Sequence, residues 1–237
     1  MSRIVWDAVG DHLYETGIDR VVLFPIQSTN TYTLGVPWNG VTSIQENPSG
    51  ADETKLFADN IKYLSLRALE EFGATIEAYT YPDEWAECDG SAEAVNGVMI
   101  GQQARKMFGL AYRTLIGNDT EGNDHGYKLH LIYGGTASPS QKQYQTVNDS
   151  PEAITFSWEI TTTPVAVTDS DDDETNDYKP TSHIEIDSTK FTTTAQKAAL
   201  KAFEDILYGT NTSGDVAGVD PRLPLPAEVI TLLTVSG

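Results

Sequence analysis

Basic residues are scarce in this chain. Fifteen lysines and arginines stand against 35 aspartates and glutamates, a formal charge of −20. A protein that grips nucleic acid does so mainly by neutralising phosphates with cations, so stable DNA or RNA binding is not expected, nor is adhesion to anionic membranes. Cysteine is nearly absent. Cys88 is the only one, so no intrachain disulfide can form. Its neighbours Glu87 and Asp89 disfavour a thiolate, which argues for a structural thiol rather than a nucleophile. Long apolar runs are missing too. Stretches such as Val21 to Ile26 are far too short to span a bilayer, and the first seventeen residues hold no apolar core of signal-peptide length. The expectation is a soluble protein made in the cytoplasm, with no membrane insertion.

The common chemical signatures are also lacking. No GxxxxGK[ST] loop, no GxGxxG after a strand, no CxxC and no HExxH occurs. His12, His125, His130 and His183 have no carboxylate or cysteine at a recognisable ligand spacing, and are read as strand or surface positions. The loop from Asp119 to Asp124 has the look of a calcium loop but lacks Gly at its sixth position and Glu at its twelfth, where Asp124 and His130 stand. It is read as a hairpin turn. The adjacent carboxylates Glu70/Glu71 and Asp83/Glu84 would point to opposite faces of a strand, which suits no paired-carboxylate hydrolase. No cofactor, metal or catalytic residue is expected.

What the chain has in quantity is alternation. Hydrophobic residues make up 39%, enough for a core in one large β domain. Phe72, Ala74, Ile76 and Ala78 fall on one side of a strand; Thr75, Glu77, Tyr79 and Tyr81 fall on the other. Phe108, Leu110 and Tyr112 oppose Gly109, Ala111 and Arg113. Tyr127, Leu129, Leu131 and Tyr133 share a face, as do Ile154, Phe156, Trp158 and Ile160. Period two marks half-buried strands, and turns every ten residues or so indicate an antiparallel sandwich or barrel. Further strands are expected at Ile18–Phe24, Val41–Glu46, Ile61–Leu69, Gln141–Val147 and His183–Asp187. Pro82 to Gly90 is read as an acidic turn, and Gln27 to Asn39 as a loop. The run Asp169–Asp177 is read as a solvated loop.

One helix is expected near 193–208. Thr193 and Gln196 have capping-box spacing, Gly209 follows the end, and Ala199, Phe203, Ile206 and Leu207 form an apolar stripe. The division is an N-terminal arm over 1–17, a β domain over 18–209 with that helix on its flank, and an extension over 210–237, in which Pro226 suits a first helical position.

The segments AYTYPDEWAECDGS, GQQARKMFGLAYRTLIGNDTEGNDHGYKLHLIYGG and NDSPEAITFSWEITTTPVAV, with FEDILYG and RLPLPAEVI near the end, resemble the major tail protein (tail tube protein) of long, non-contractile-tailed bacteriophages. The resemblance runs from about Gly17 to Leu233. It implies a mainly β fold, an antiparallel β-sandwich with a flanking α-helix, related to the tube protein of type VI secretion. It implies six-subunit rings stacked into a hollow tube through which DNA passes at ejection. The implied partners are further copies of the chain, the tape-measure, tail-tip and tail-terminator proteins, and DNA in transit; the implied location is the virion tail.

Under that resemblance Glu77 is the first candidate for a lumen carboxylate, followed by Glu70 and Glu71. The strands Ile61–Leu69, Gly73–Tyr81 and Met107–Leu115 are candidates for the lumen wall. The breaker segment Asn47-Pro48-Ser49-Gly50-Ala51-Asp52 is the candidate ring-stacking loop, with its tip at Pro48 to Gly50. Both chain ends are long enough to reach a neighbour, and Leu225, Val229 and Leu232 need burial. The alternative is a carbohydrate- or surface-binding sandwich that uses exposed Trp38, Trp85 or Tyr79.

Overall fold

In the computed structural model the described residues are 4, 6–27, 31–147, 149, 153–167, 178–213 and 217–235. The acidic run Asp169–Asp177 lies outside them. The chain is mainly β, with antiparallel sheets and a few helices.

The main sheet is built from β1 (Tyr14–Pro25), β3 (Val36–Pro37), β4 (Val41–Glu46), β9 (Gly73–Ala78), β12 (Phe108–Asn118), β13 (Gly122–Ala137) and β14 (Phe156–Thr162). They are hydrogen-bonded in the order β3-β1-β12-β13-β14-β9-β4. A further strand, β15 (His183–Asp187), pairs with the middle of β13, from Lys128 to Ile132, and β14 pairs with its last residues. Gly134 sits between those two pairings at φ +60°, facing the Thr163 carbonyl so closely that a side chain there would collide with it. The sheet curls so that β4 comes back near β1, but no ladder joins them and no barrel closes.

Two cores result. Inside the curl lie Leu23, Ala74, Ile76, Ala78, Phe108, Leu110, Tyr112, Trp158 and Ile160, together with Trp38, Trp85 and Cys88. On the other side of β1, β12 and β13 lie Val22, Phe24, Ala111, Leu129, Leu131 and Tyr133. They are covered by α2 (Thr194–Tyr208) through Leu200, Phe203 and Leu207, and by α3 (Pro226–Leu233) through Val229. So β12 is buried on both faces over its first five residues. The expectation that it has one face free for a lumen is corrected here: α2 and α3 occupy that face.

Several local expectations hold. Gln196 N donates to Thr193 Oγ1 at 3.2 Å and Thr193 N to Gln196 Oε1 at 3.0 Å, the reciprocal capping box. Asn118 Oδ1 accepts from the amides of Thr120 (3.1 Å) and Glu121 (2.6 Å), which makes the 119–121 segment a hairpin turn. The tail after Gly209 folds back on its own chain: β16 (Arg222–Leu223) pairs with β2 (Tyr32–Thr33), and Leu232 packs on the second core.

Other expectations fail. Residues 141–147 form no strand. The acidic turn contains the short helix α1 (Trp85–Asp89), which drives Trp85 and Cys88 into the first core. The connection after it is a hairpin of β10 (Ala92–Val95) and β11 (Val98–Ile100) around Asn96-Gly97, in which Gly97 takes the left-handed conformation at φ +80°. The N-terminal arm is shorter than expected, because β1 begins at Tyr14.

The largest departure concerns residues 41–78, which form one long hairpin. The register from Ser43↔Glu77 to Glu46↔Ala74 continues through Ser49↔Glu71 and Gly50↔Glu70, the pairing of β5 (Ser49–Gly50) with β8 (Glu70–Glu71). It runs on unbroken through Glu53↔Arg67 to Leu56↔Leu64, where β6 (Glu53–Ala58) pairs with β7 (Ile61–Arg67). One bulge follows, then the tip at Asp59-Asn60, both with positive φ. Two central residues in that conformation match the right-handed twist of the flanking strands, and Asp and Asn tolerate it best among residues other than glycine. Beyond Glu46 and Gly73 this arm leaves the body, and at 3.3 Å per residue it is about 40 Å long.

Cys88 is a buried free thiol, pushed up to about 12 by burial, then by Glu87. Thiolate is the reactive form. Alkylation by iodoacetamide at neutral pH is therefore expected to be negligible in the folded chain and complete after denaturation, as read by mass spectrometry. Fast labelling of native protein would contradict this placement.

Candidate functional site

The arm is the first candidate. Every residue of β5, β6 and β8 is exposed, and all of β7 but Ser65. Its two sides differ. Leu56, Leu64 and Leu66 share one face, with Leu56 directly opposite Leu64. Glu53, Lys55 and Lys62 lie on the other, where Lys62 Nζ donates to Glu53 Oε1 at 2.6 Å and Ser65 also donates to Glu53. Near the tip and the root, Phe57 is 70% exposed, Tyr63 72% and Leu69 82%. An isolated two-stranded ribbon is marginal in water, and this one leaves its apolar side chains and both of its edges uncovered by its own chain.

The sequence candidates land as follows. Asn47, Pro48, Ser49, Gly50, Ala51 and Asp52 lie in the arm near its root rather than in a loop, and the tip is at Asp59-Asn60. Glu70 and Glu71 pair with Gly50 and Ser49, so two lumen candidates and two stacking candidates occupy adjacent rungs of the arm. The strand expected at Ile61–Leu69 is the return strand of the arm and has no buried face.

Glu77 lies elsewhere, on the outer face of β9. Ala74, Ile76 and Ala78 point inward and are buried, leaving Thr75 and Glu77 outside. Ser43 lies opposite Glu77 on one side, its Oγ 3.1 Å from Glu77 Oε2, and Ser157 lies opposite on the other. Gln45 and Glu159 flank Thr75 in the same way. The outer surface of these three strands thus consists of Ser, Thr, Gln and Glu, and none of the three contains a lysine or arginine.

A third group was not visible in the sequence. Glu46, at the arm's root, meets His130 of β13 and His183 of β15. His130 Nδ1 lies 3.4 Å from His183 Nε2, and each of these nitrogens is 3.5 Å from Glu46 Oε1. Tyr112 Oη donates to the same Oε1 at 2.5 Å, and His130 Nε2 lies 3.1 Å from Thr114 Oγ1. The rings of Tyr112 and His130 are parallel at 4.6 Å, and Phe72 stacks on His183 at 4.7 Å. The His130 contact, helped by the Tyr112 hydroxyl, outweighs burial and holds the Glu46 carboxyl down at about 2. Burial lowers His183, against the pull of Glu46. These residues are 84 and 53 positions apart, so no local spacing could announce them. The one available signal was that His130 must lie on the Tyr112 face once Leu129 and Leu131 take the other.

The remaining polar candidates stand apart. His12 is 3.5 Å from both Asp7 and Asp119, and His125 Nδ1 is 2.6 Å from Glu121. Trp38 and Trp85, named for sugar binding, are core residues with ring centroids 4.6 Å apart, and only Tyr79 of that trio is exposed. Among the described residues no helix is long and apolar enough to cross a membrane. No protein-family model matches the chain, and no curated protein matches it.

Proposed function

We propose that the chain is a structural subunit that polymerises, in the manner of a phage tail tube protein, into rings that stack as a hollow tube. The observation that carries this reading is the arm: a ribbon about 40 Å long whose leucine face packs on nothing in its own chain. Laid on neighbouring subunits, it would bury Leu56, Leu64 and Leu66 and pair its free edges. Contacts of this head-to-tail kind close into a ring in one direction and propagate a filament in the other. Interfaces that hold such an assembly bury on the order of 2,000 Å² or more.

The outer face of β4, β9 and β14 supports the second half of the reading. A wall of hydroxyls, amides and the carboxylates Glu77 and Glu159, without a cation in those strands, offers phosphates nothing to bind. At physiological salt its repulsion reaches about 8 Å, enough to keep DNA from sticking to a lumen surface. In this assignment Glu77 lines the lumen, while Glu70, Glu71 and residues 47–52 belong to the stacking arm. The sandwich of the tail tube type is then the curled sheet, with α2 as its flanking helix.

Negative-stain electron microscopy over a range of concentration and salt tests the proposal. Tubes or six-fold rings are expected, if necessary after seeding with tail-tip complexes. A protein that stays monomeric under all these conditions would refute it.

A further inference from the structure

We infer that Glu46, His130 and His183 form a binding site for one divalent metal ion of the zinc class, fastening the root of the arm to the main sheet. The inference stands on the geometry of three side chains and does not depend on the assembly reading. A tetrahedral Zn²⁺ with bonds of about 2.1 Å holds its ligand atoms about 3.4 Å apart. The three candidate atoms are separated by 3.4, 3.5 and 3.5 Å, so they already form one face of that tetrahedron. Two imidazoles and one carboxylate are the donors that first-row transition metals prefer, whereas calcium and magnesium take oxygen throughout.

The surroundings are those of a metal site as well. Ligating histidines characteristically donate their second nitrogen to a fixed acceptor, which sets the tautomer. Thr114 Oγ1, 3.1 Å from His130 Nε2, is placed to be that acceptor when an ion displaces the proton from Nδ1, the atom facing Glu46 and His183. Tyr112 orients the Glu46 carboxylate in the same manner. Stacking on Tyr112 and Phe72 restrains both rings. Glu46 is about one-third exposed, which provides an entrance and leaves the fourth position to water. The ligands come from β4, β13 and β15, so one ion would join the last rung before the arm to two strands of the body.

The test is a titration of the full-length, chelator-treated protein with Co²⁺ in the presence of excess Ca²⁺. Calcium occupies the hard-oxygen sites that a surface of charge −20 offers. The expected result is saturation at one equivalent, with the intense visible absorption of four-coordinate cobalt, and its loss on adding Zn²⁺. Glu46→Gln and His183→Gln should each weaken binding by more than about 100-fold, and Thr114→Val by about 10- to 100-fold, with unchanged circular dichroism. Wild-type protein that gives no such absorption overturns the inference without reference to any variant. Equal absorption in wild type and Glu46→Gln overturns it too, since the cobalt would then sit elsewhere.

Discussion

Replacing residues 49–71 by Asn-Gly is expected to yield a folded chain that cannot assemble. The register makes the operation clean. Glu46 lies opposite Ala74, and Asn47 N donates to the Gly73 carbonyl at 2.8 Å, so the two strands are still paired where the cut falls. Pro48 and Phe72 would then flank a two-residue turn of the type such hairpins favour. Nothing excised belongs to either core, since every buried apolar residue lies outside 49–71. Stability should therefore change by no more than about 0.5 kcal/mol, as for ordinary surface changes. Assembly, read by electron microscopy and light scattering, should fall to nothing. Tubes formed by the armless chain would remove the arm from the interface, and loss of cooperative unfolding would show that it is part of the fold.

How much of this was legible in the sequence depended on whether a signal was local. The α2 cap rests on two residues three apart, and both bonds are present. The alternations at 72–78 and 127–133 declare buried faces because the apolar set of each strand packs on a single core. The arm escaped for a different reason. Alternation in 61–67 is real, but it arises from an amphipathic ribbon with no core beneath it, and period two cannot tell a face turned to the interior from one turned to another chain. The breakers at Asn47-Pro48 and Gly50 read as a loop, yet backbone bonds such as Ala68 N to the Asp52 carbonyl carry the ladder past them. Two turns were nonetheless open to reading: Asp59-Asn60 and Asn96-Gly97 each stand between alternating runs. Burial of Trp85 was not legible, because a five-residue helix packed on Trp38 and Phe108 is set by tertiary contacts alone. The Glu46–His130–His183 group has no local signature at all. It exists because β4, β13 and β15 converge at one end of the first core.

The second large effect belongs to that core. Trp158→Ala is expected to lower stability by about 3–5 kcal/mol, against a usual total of roughly 5–15. Trp158 is fully buried, with ring centroids 5.5 Å from each of Trp38, Trp85 and Tyr81, and it holds β14 over the curl. Few neighbours can collapse into the space, since Trp38 is held by its own bond from Nε1 to the Thr80 carbonyl at 2.8 Å and Trp85 is packed between Trp38 and Phe108. The measurement belongs in the armless chain, because a polymerising protein has an apparent stability that rises with concentration. There, a urea midpoint equal to that of the Trp158 parent would contradict the core. Tyr63→Ala in the full-length chain is the complementary change. Tyr63 is 72% exposed at the arm's bulge, so its loss should leave monomer stability within about 0.5 kcal/mol and raise the concentration needed to assemble. If the two substitutions separate in this way, the body carries the fold and the arm carries the assembly, which is the division of labour a tube subunit requires.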